Sequence, residues 1–184
     1  LVNFCKEAGV ILAVGQIERF NPVISELKKI IIGCELGDLI SISSRRLSSL
    51  PGRIKDVGVV MDLAIHDLDI ITYLCESDVK KCFHVNGKIS GKHEQTSNII
   101  MEFGNGVISS SEVSWLNPNK VREVNLSLKK GYVRADLANQ KISVFKSKFD
   151  LSDNDYSNAS ETIEINKINL DYQEPLRLEL ENFL

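Results

Sequence analysis

No apolar run in this sequence approaches the roughly 18 residues that a membrane-spanning helix needs; the longest candidate, Gly9 to Gly15, is of strand size. The N-terminus lacks the basic start, apolar stretch and small-residue cleavage site of a secretory signal. Cys5, Cys34, Cys75 and Cys82 form no Cys-x-x-Cys pair, and no histidine spacing around them completes a zinc pattern. They read as structural thiols of a reducing compartment, so a cytoplasmic location is expected. An excess of positive charge is also missing. The 22 Lys and Arg stand against 25 Asp and Glu, a formal charge of −3, which argues against a nucleic-acid partner. There is no internal repeat and no low-complexity tract. What is present is ordinary for a soluble globular chain: 184 residues, 43% hydrophobic and 26% charged.

Along the chain, residues 1–8 read as the end of a helix closed by Gly9, and Val10 to Val14 as a strand buried on both faces of a parallel sheet. Helix followed by buried strand is the last unit of an α/β fold. The first residue is Leu and the last nine stop inside an amphipathic pattern, so both ends are expected to be cut points in a longer protein. Asn21-Pro22 opens a helix with Asn as N-cap and Pro at the first position; Val23, Ile24, Leu27, Ile30 and Ile31 give it an apolar face, and Gly33 ends it. Leu39 to Ser44 is strand-like, residues 45–58 read as a loop, and a second helix covers about 59–75.

Beyond Cys75 the texture changes. Val79 to Val85, Ser97 to Phe103, Val107 to Trp115, Arg122 to Leu128, Tyr132 to Asp136 and Ile142 to Phe145 are short runs separated by Gly and Asn turns. Phe103-Gly-Asn-Gly-Val107 is a strong hairpin signal, because Asn and Gly tolerate the positive φ of tight turns. The expected fold is therefore α+β, an open, mainly antiparallel sheet with helices on one face. Residues 150–160, rich in Ser, Asp and Asn, are the candidate for an excursion, and a final helix starts at Pro175. Val107, Ile108, Val113, Trp115, Val124, Leu126 and Leu128 supply apolar residues of both parities, more than one covered face requires. A homodimer or homotetramer through the open sheet face is expected on that ground.

The densest chemical signal lies between Lys55 and Asp69. On a helix, Asp62 and His66 are four residues apart and share a face. A carboxylate there can orient an imidazole, which can accept a proton near neutral pH. By spacing alone such a pair is more often a plain polar contact. Asp67 and Asp69 read as capping or solvated groups. Asp62, His66, Asp67 and Asp69 do not suit a metal, since consecutive helical residues point in different directions. Gln16, Ile17, Glu18 and Arg19 leave the C-terminal end of the first strand, where α/β sheets place ligands; for Arg19 a structural ion pair is an equally good reading. Arg45, Arg46 and Arg53 flank the segment leading to the helix and could bind phosphate as forks or be surface charge. Lys120 and Arg122 could act likewise or belong to a subunit interface. Trp115 reads as packing against the sheet in preference to a stacking platform.

Val14-Gly-Gln-Ile-Glu-Arg-Phe-Asn-Pro22 followed by Asp62 and His66, then Phe103 to Val107, Glu112 to Arg122, Gly131 and Asp136, resembles the glucose–fructose oxidoreductase/inositol dehydrogenase family (Gfo/Idh/MocA) in order and spacing. Pro51 to Gly58 and Trp115 to Arg122 look most like the branch acting on nucleotide-linked N-acetyl sugars, such as archaeal UDP-N-acetylglucosamine 3-dehydrogenases. The resemblance implies two domains. Residues 1–20 would be the last helix–strand unit of a truncated Rossmann domain for NAD or NADP. Residues 21–184 would be the substrate-binding and catalytic domain, truncated at its C-terminus. His66 and Asp62 inherit catalytic roles, with His66 as acid/base. Ile17, Glu18, Arg19, Arg46 and Arg53 become substrate-binding candidates and Gln16 a cofactor contact. The family's Glu-Lys-Pro motif and a Gly-x-Gly-x-x-Gly turn are both absent. They fall where the preceding domain would lie, so this segment is not expected to catalyse alone. The expected activity is oxidation of a sugar hydroxyl, on a UDP-N-acetyl sugar. The rivals are a glycosidase-type relative using a transient keto intermediate and a non-catalytic sugar-binding or oligomerisation module.

Overall fold

The computed structural model describes residues 1–50, 52, 54, 56–147 and 163–184. Helix α1 (Val2–Ala8) ends at Gly9, whose φ of 64° is the left-handed conformation that glycine adopts without a Cβ penalty. Val10 to Val14, expected as a buried strand, forms none. Among the described residues the segment has no ladder partner, and Ile11 and Val14 stand 85% and 82% exposed. A strand of a parallel sheet exists only through its neighbours.

A 3₁₀ turn (Ile17–Phe20) leads to α2 (Pro22–Gly33). The Asn21 side chain accepts a hydrogen bond from the Val23 N–H at 3.1 Å, with Pro22 at the first position, as the sequence implied. Val23, Ile24 and Leu27 are fully buried on one face of α2, each stabilising the fold by roughly 1.5–3 kcal/mol. The helix closes at Cys34, which takes the left-handed conformation (φ 54°) one residue beyond the glycine expected to end it.

Strands β1 (Leu39–Ser49), β2 (Val79–Gly87), β3 (Thr96–Phe103), β4 (Ile108–Ser114), β5 (Leu116–Leu128), β6 (Gly131–Asp136), β7 (Lys141–Ser147) and β8 (Ile163–Asn169) form one sheet in the order β2-β3-β4-β1-β5-β6-β7-β8. Only β1 and β4 pair in parallel; every other neighbour is antiparallel. Phe103 and Val107 close the expected hairpin, with Gly106 at φ 85°. The fold is thus the anticipated α+β architecture. The largest differences are two boundaries and one strand. Residues 45–49, read as loop, continue β1, because this central strand is hydrogen-bonded on both sides and its Arg46 finds buried partners. β5 begins six residues before the expected Arg122, and β8 went unforeseen. The expected excursion at 150–160 lies outside the described residues.

Residues Val60–Ala64 make a π-helical turn that runs directly into α3 (Ile65–Cys75). Ile70, Ile71 and Leu74 of α3 and the apolar face of α2 join Ile42, Val113, Val124, Leu126, Val133 and Ile142 in the buried cluster. Register places Ile42 beside Ser109 and Leu126, and Val124 beside Ala135, so these residues share the helix-covered face. The opposite face shows Ser41, Ser43, Ser110, Asn125 and Ser127 through the sheet centre, with Arg45 paired to Glu112 at 2.9 Å. This corrects the premise of the assembly reading. Val113, Val124, Leu126 and Leu128 lie on the covered face, Val107 and Trp115 are buried at the ends of β4, and of that set only Ile108 is exposed on the open side. A last helix, α4 (Pro175–Phe183), packs near the 3₁₀ turn. No described helix is long and apolar enough to cross a membrane.

Candidate active site

Along the covered face of β1 the inward residues change from Ile42 through Ser44 to Arg46, from apolar to charged. The charged end opens into a cleft of about 670 Å³. Its walls come from the 3₁₀ turn (Ile17, Glu18), β1 (Arg46), the π turn and α3 (Asp62, His66), β5 (Lys120, Arg122) and the segment between β8 and α4 (Tyr172, Glu174). Gln140, at the β6–β7 turn, fixes that last segment: its amide donates to the Gln173 carbonyl at 2.7 Å and its Oε1 accepts from the Gln173 N–H at 3.1 Å.

Arg46 is the electrostatic centre. Its Nε donates to Asp67 Oδ1 at 2.9 Å and its Nη1 to Glu18 Oε1 at 2.7 Å, with Arg46 and Asp67 only 3% and 2% exposed. Burial works against the guanidinium charge, but Asp67 and Glu18 more than offset it and keep Arg46 protonated. Burial also pushes the Asp67 carboxyl above its usual range, which Arg46 only partly reverses. Glu18 is buried too, yet Arg46, with Arg122 at 3.8 Å, holds its carboxyl below the usual range. Arg46 thus lines the cleft with its Nε and Nη1 donating to two carboxylates, while its buried Nη2 lies 2.8 Å from Asp67 Oδ1 without a hydrogen-bond partner of its own. Asp67, read as a cap or solvated group, is a buried ion-pair partner.

His66 and Asp62 both line the cleft. Burial, and after it the positive Arg46, lowers the His66 pKa below the ordinary imidazole value; Glu18, Asp67 and Asp62 pull it partly back. The imidazole is therefore neutral at neutral pH and able to accept a proton. Asp62 Oδ2 accepts a hydrogen bond from the buried Trp115 indole N–H at 3.2 Å. The i, i+4 spacing gave no sign that Asp62 stands on a π turn, a wider helix type that recurs at functional sites.

The remaining candidates separate. Ile17 and Glu18 line the same cleft as His66, whereas Arg19 does not. Its guanidinium forks onto Asp69 at 2.6 and 2.8 Å and lies over the Tyr73 ring. Arg19 and Gln16 instead border a second, more apolar depression with Ile11, Val14, Leu180 and Phe183. Arg53 lies outside the described residues. Tyr172, Glu174 and Gln140 had no recognisable signal, since only the folded chain brings residues 33 apart together.

Comparison with known proteins agrees with this architecture. A UDP-N-acetylglucosamine 3-dehydrogenase of Acidithiobacillus ferrooxidans is 23% identical over 145 residues, covering 79% of this chain and 45% of that protein. A solved structure of that enzyme matches with a TM-score of 0.79 at 21% identity, over 99% of this chain and 54% of the other. The aldose-aldose oxidoreductase of Caulobacter crescentus matches with a TM-score of 0.75 at 17% identity, over 98% and 54% of the two chains. The WlbA dehydrogenase of Bordetella pertussis, solved with NADH and UDP-GlcNAcA, gives 0.63 at 23% identity, over 73% and 46%. The chain spans about half the length of these relatives. Residues 24–134 match the GFO/IDH/MocA C-terminal domain, which covers well over half of the chain. This chain belongs to the Gfo/Idh/MocA oxidoreductase family.

Proposed function

We propose that this chain is the substrate-binding and catalytic part of an NAD(P)-dependent sugar dehydrogenase that oxidises a hydroxyl of a UDP-N-acetyl sugar. The observation that carries the reading is the cleft, where an imidazole kept neutral by burial, a carboxylate and the cations Lys120 and Arg122 line one cavity. The UDP-N-acetylglucosamine 3-dehydrogenase and the WlbA dehydrogenase among its relatives support the substrate class.

On this reading residues 1–20 close a preceding Rossmann domain and residues 21–184 carry the substrate. The exposed Ile11 and Val14 support the division, being apolar side chains without a sheet to bury them. Of a nicotinamide dinucleotide, the reacting end fits the residues here: Gln16 and Ile17 stand at the border between the two depressions. The pyrophosphate needs a glycine-rich turn at a helix N-terminus, which belongs to the other domain. When bound, the nicotinamide supplies the hydride acceptor.

The chain's own residues manage the proton and the substrate. A ring nitrogen of His66 accepts the proton of the reacting hydroxyl, and Asp62 orients that hydroxyl or the imidazole. Lys120 and Arg122 bind the diphosphate, with Arg46 lining the same cleft beside them. Copies of the chain would pair through the open sheet face, where Phe83, Ile100 and Ile108 form an exposed apolar corner. Four free thiols suit a reducing cytoplasm.

The test is a panel of free and nucleotide-linked sugars offered to the full-length protein, following absorbance of the reduced cofactor. Turnover is expected on UDP-N-acetyl sugars. Turnover on free aldoses alone would overturn the substrate class, and none on any sugar would overturn the dehydrogenase.

A further inference from the structure

We infer that Trp115 and Glu94 form a brace that positions Asp62 for the reaction, a reading that rests on the catalytic roles proposed for Asp62 and His66. A helix start leaves amide donors without partners, which a side chain just before the helix normally satisfies. Val59 occupies that place and offers no cap. Glu94, from the connection between β2 and β3, takes over. Its carbonyl accepts from the Val59 N–H at 3.1 Å and its Oε1 from the Val60 N–H at 3.2 Å. Gly58 makes room for it, since a Cβ there would collide with the Glu94 carboxylate. The next residue ties in the sheet: the Gln95 carbonyl accepts from the Trp115 N–H at 2.9 Å.

Trp115 then completes the brace. Its ring is buried, and a buried indole N–H requires an acceptor. That acceptor is Asp62 Oδ2, so the carboxylate is oriented from the sheet and not from its own helix. Among the described residues Oδ1 accepts no hydrogen bond, which leaves it for the imidazole or the reacting hydroxyl. Trp115 touches none of the reacting atoms; it acts through Asp62.

The experiment is a cycle of Trp115→Phe and Asp62→Asn in the full-length protein, with kcat, KM and Tm measured on the sugar it oxidises. Trp115→Phe keeps a ring and removes the donor. It is expected to lower kcat roughly 10- to 100-fold with KM within about twofold, the scale of a misplaced group. In the Asp62→Asn background the same change should lower kcat no further, because both substitutions remove one function. Additive losses would overturn the brace, as would full kcat in Trp115→Phe when Asp62→Asn is impaired; the dehydrogenase reading would survive either. A wild type inert towards every sugar would sink that reading and this one together. Should Trp115→Phe fail to fold, Glu94 carries the test. Glu94→Gln, which keeps an Oε1 acceptor, should retain kcat while Glu94→Ala loses it at unchanged KM; equal losses in the two would overturn the proposal.

Discussion

The two ends of β1 build the same covered sheet face from opposite materials. At one end Ile42 sits beside Leu126 beneath α2 and α3, in a core of aliphatic side chains. At the other, Arg46 sits among Glu18, Asp67 and Arg122 at the cleft wall. The aliphatic end gains stability from area removed from water and asks little of geometry beyond volume. The charged end loses solvation for every ion it buries and recovers it only through close pairing. On the proposed function stability resides mainly at the first end and chemistry at the second, so each should be open to separate perturbation.

The largest separation is expected at His66. In the full-length protein His66→Ala should lower turnover by roughly 10²–10⁴-fold, the usual worth of a positioned acid/base. Tm and cofactor binding should stay nearly unchanged. Asp62→Asn should be milder if Asp62 only orients His66, and comparably damaging if it contacts the sugar. Turnover beside melting temperature decides the matter: a destabilised His66→Ala enzyme with full turnover would make the pair purely structural.

Arg46→Met breaks the comparison from the charged side. It leaves Asp67 buried without its cation and Glu18 with only Arg122 at 3.8 Å, a change that typically costs about 3–5 kcal/mol, read by denaturant unfolding. It also removes the cation that lowers the His66 pKa, while the acidic neighbours that raise it remain. In wild type the acid limb of kcat/KM should therefore lie below the ordinary His value of about 6.5. In Arg46→Met it should move to higher pH. The stability sign follows from the same shift. A lowered folded-state pKa means the unfolded chain binds the proton more readily. The His66 contribution is thus present above about pH 6.5 and lost as pH falls through the folded value. An unmoved acid limb would mean that the titration belongs to another group.

Leu27→Ala works from the aliphatic side. The side chain is fully buried, and truncation should cost about 2–5 kcal/mol with kcat unchanged in the folded fraction. Paired with His66→Ala, it gives the two clean opposites: stability without chemistry and chemistry without stability.

The aliphatic end was legible in the sequence and the charged end only in part. The face of α2, its Asn21 cap and the hairpin at Gly104–Gly106 follow from local rules, since period and turn chemistry act over a few residues. Asp62 and His66 came from helical spacing together with family resemblance. Arg46 was anticipated as a phosphate fork or surface charge, because nothing local announces its buried pairing with Glu18 and Asp67, 28 and 21 residues away. Trp115 was read as packing for the same reason, its acceptor lying 53 residues off. Parity misled in a different way. Val113 and Leu126 have different parity in the numbering yet face the same side, because the register between strands is set by turns and not by residue number.

The N-terminal strip lies outside both ends of β1 and carries the smallest expected effect. Val10 to Val14 has the composition of a core strand, yet among the described residues it pairs with no strand and it is largely exposed. Ile11→Ser should therefore change the stability of the 184-residue chain by no more than about 0.5 kcal/mol, as for exposed positions generally. If residues 1–20 close a Rossmann domain, the same substitution in the full-length protein removes a side chain from between sheet and helices. Its cost should then rise to about 2–5 kcal/mol, that of a buried aliphatic residue. One mutation measured by unfolding in two contexts thus reads out where the domain boundary falls. A large cost in the short chain would mean that the strip is already packed there. A negligible cost in both contexts would remove Val10–Val14 from any sheet and leave the division at residue 20 without support.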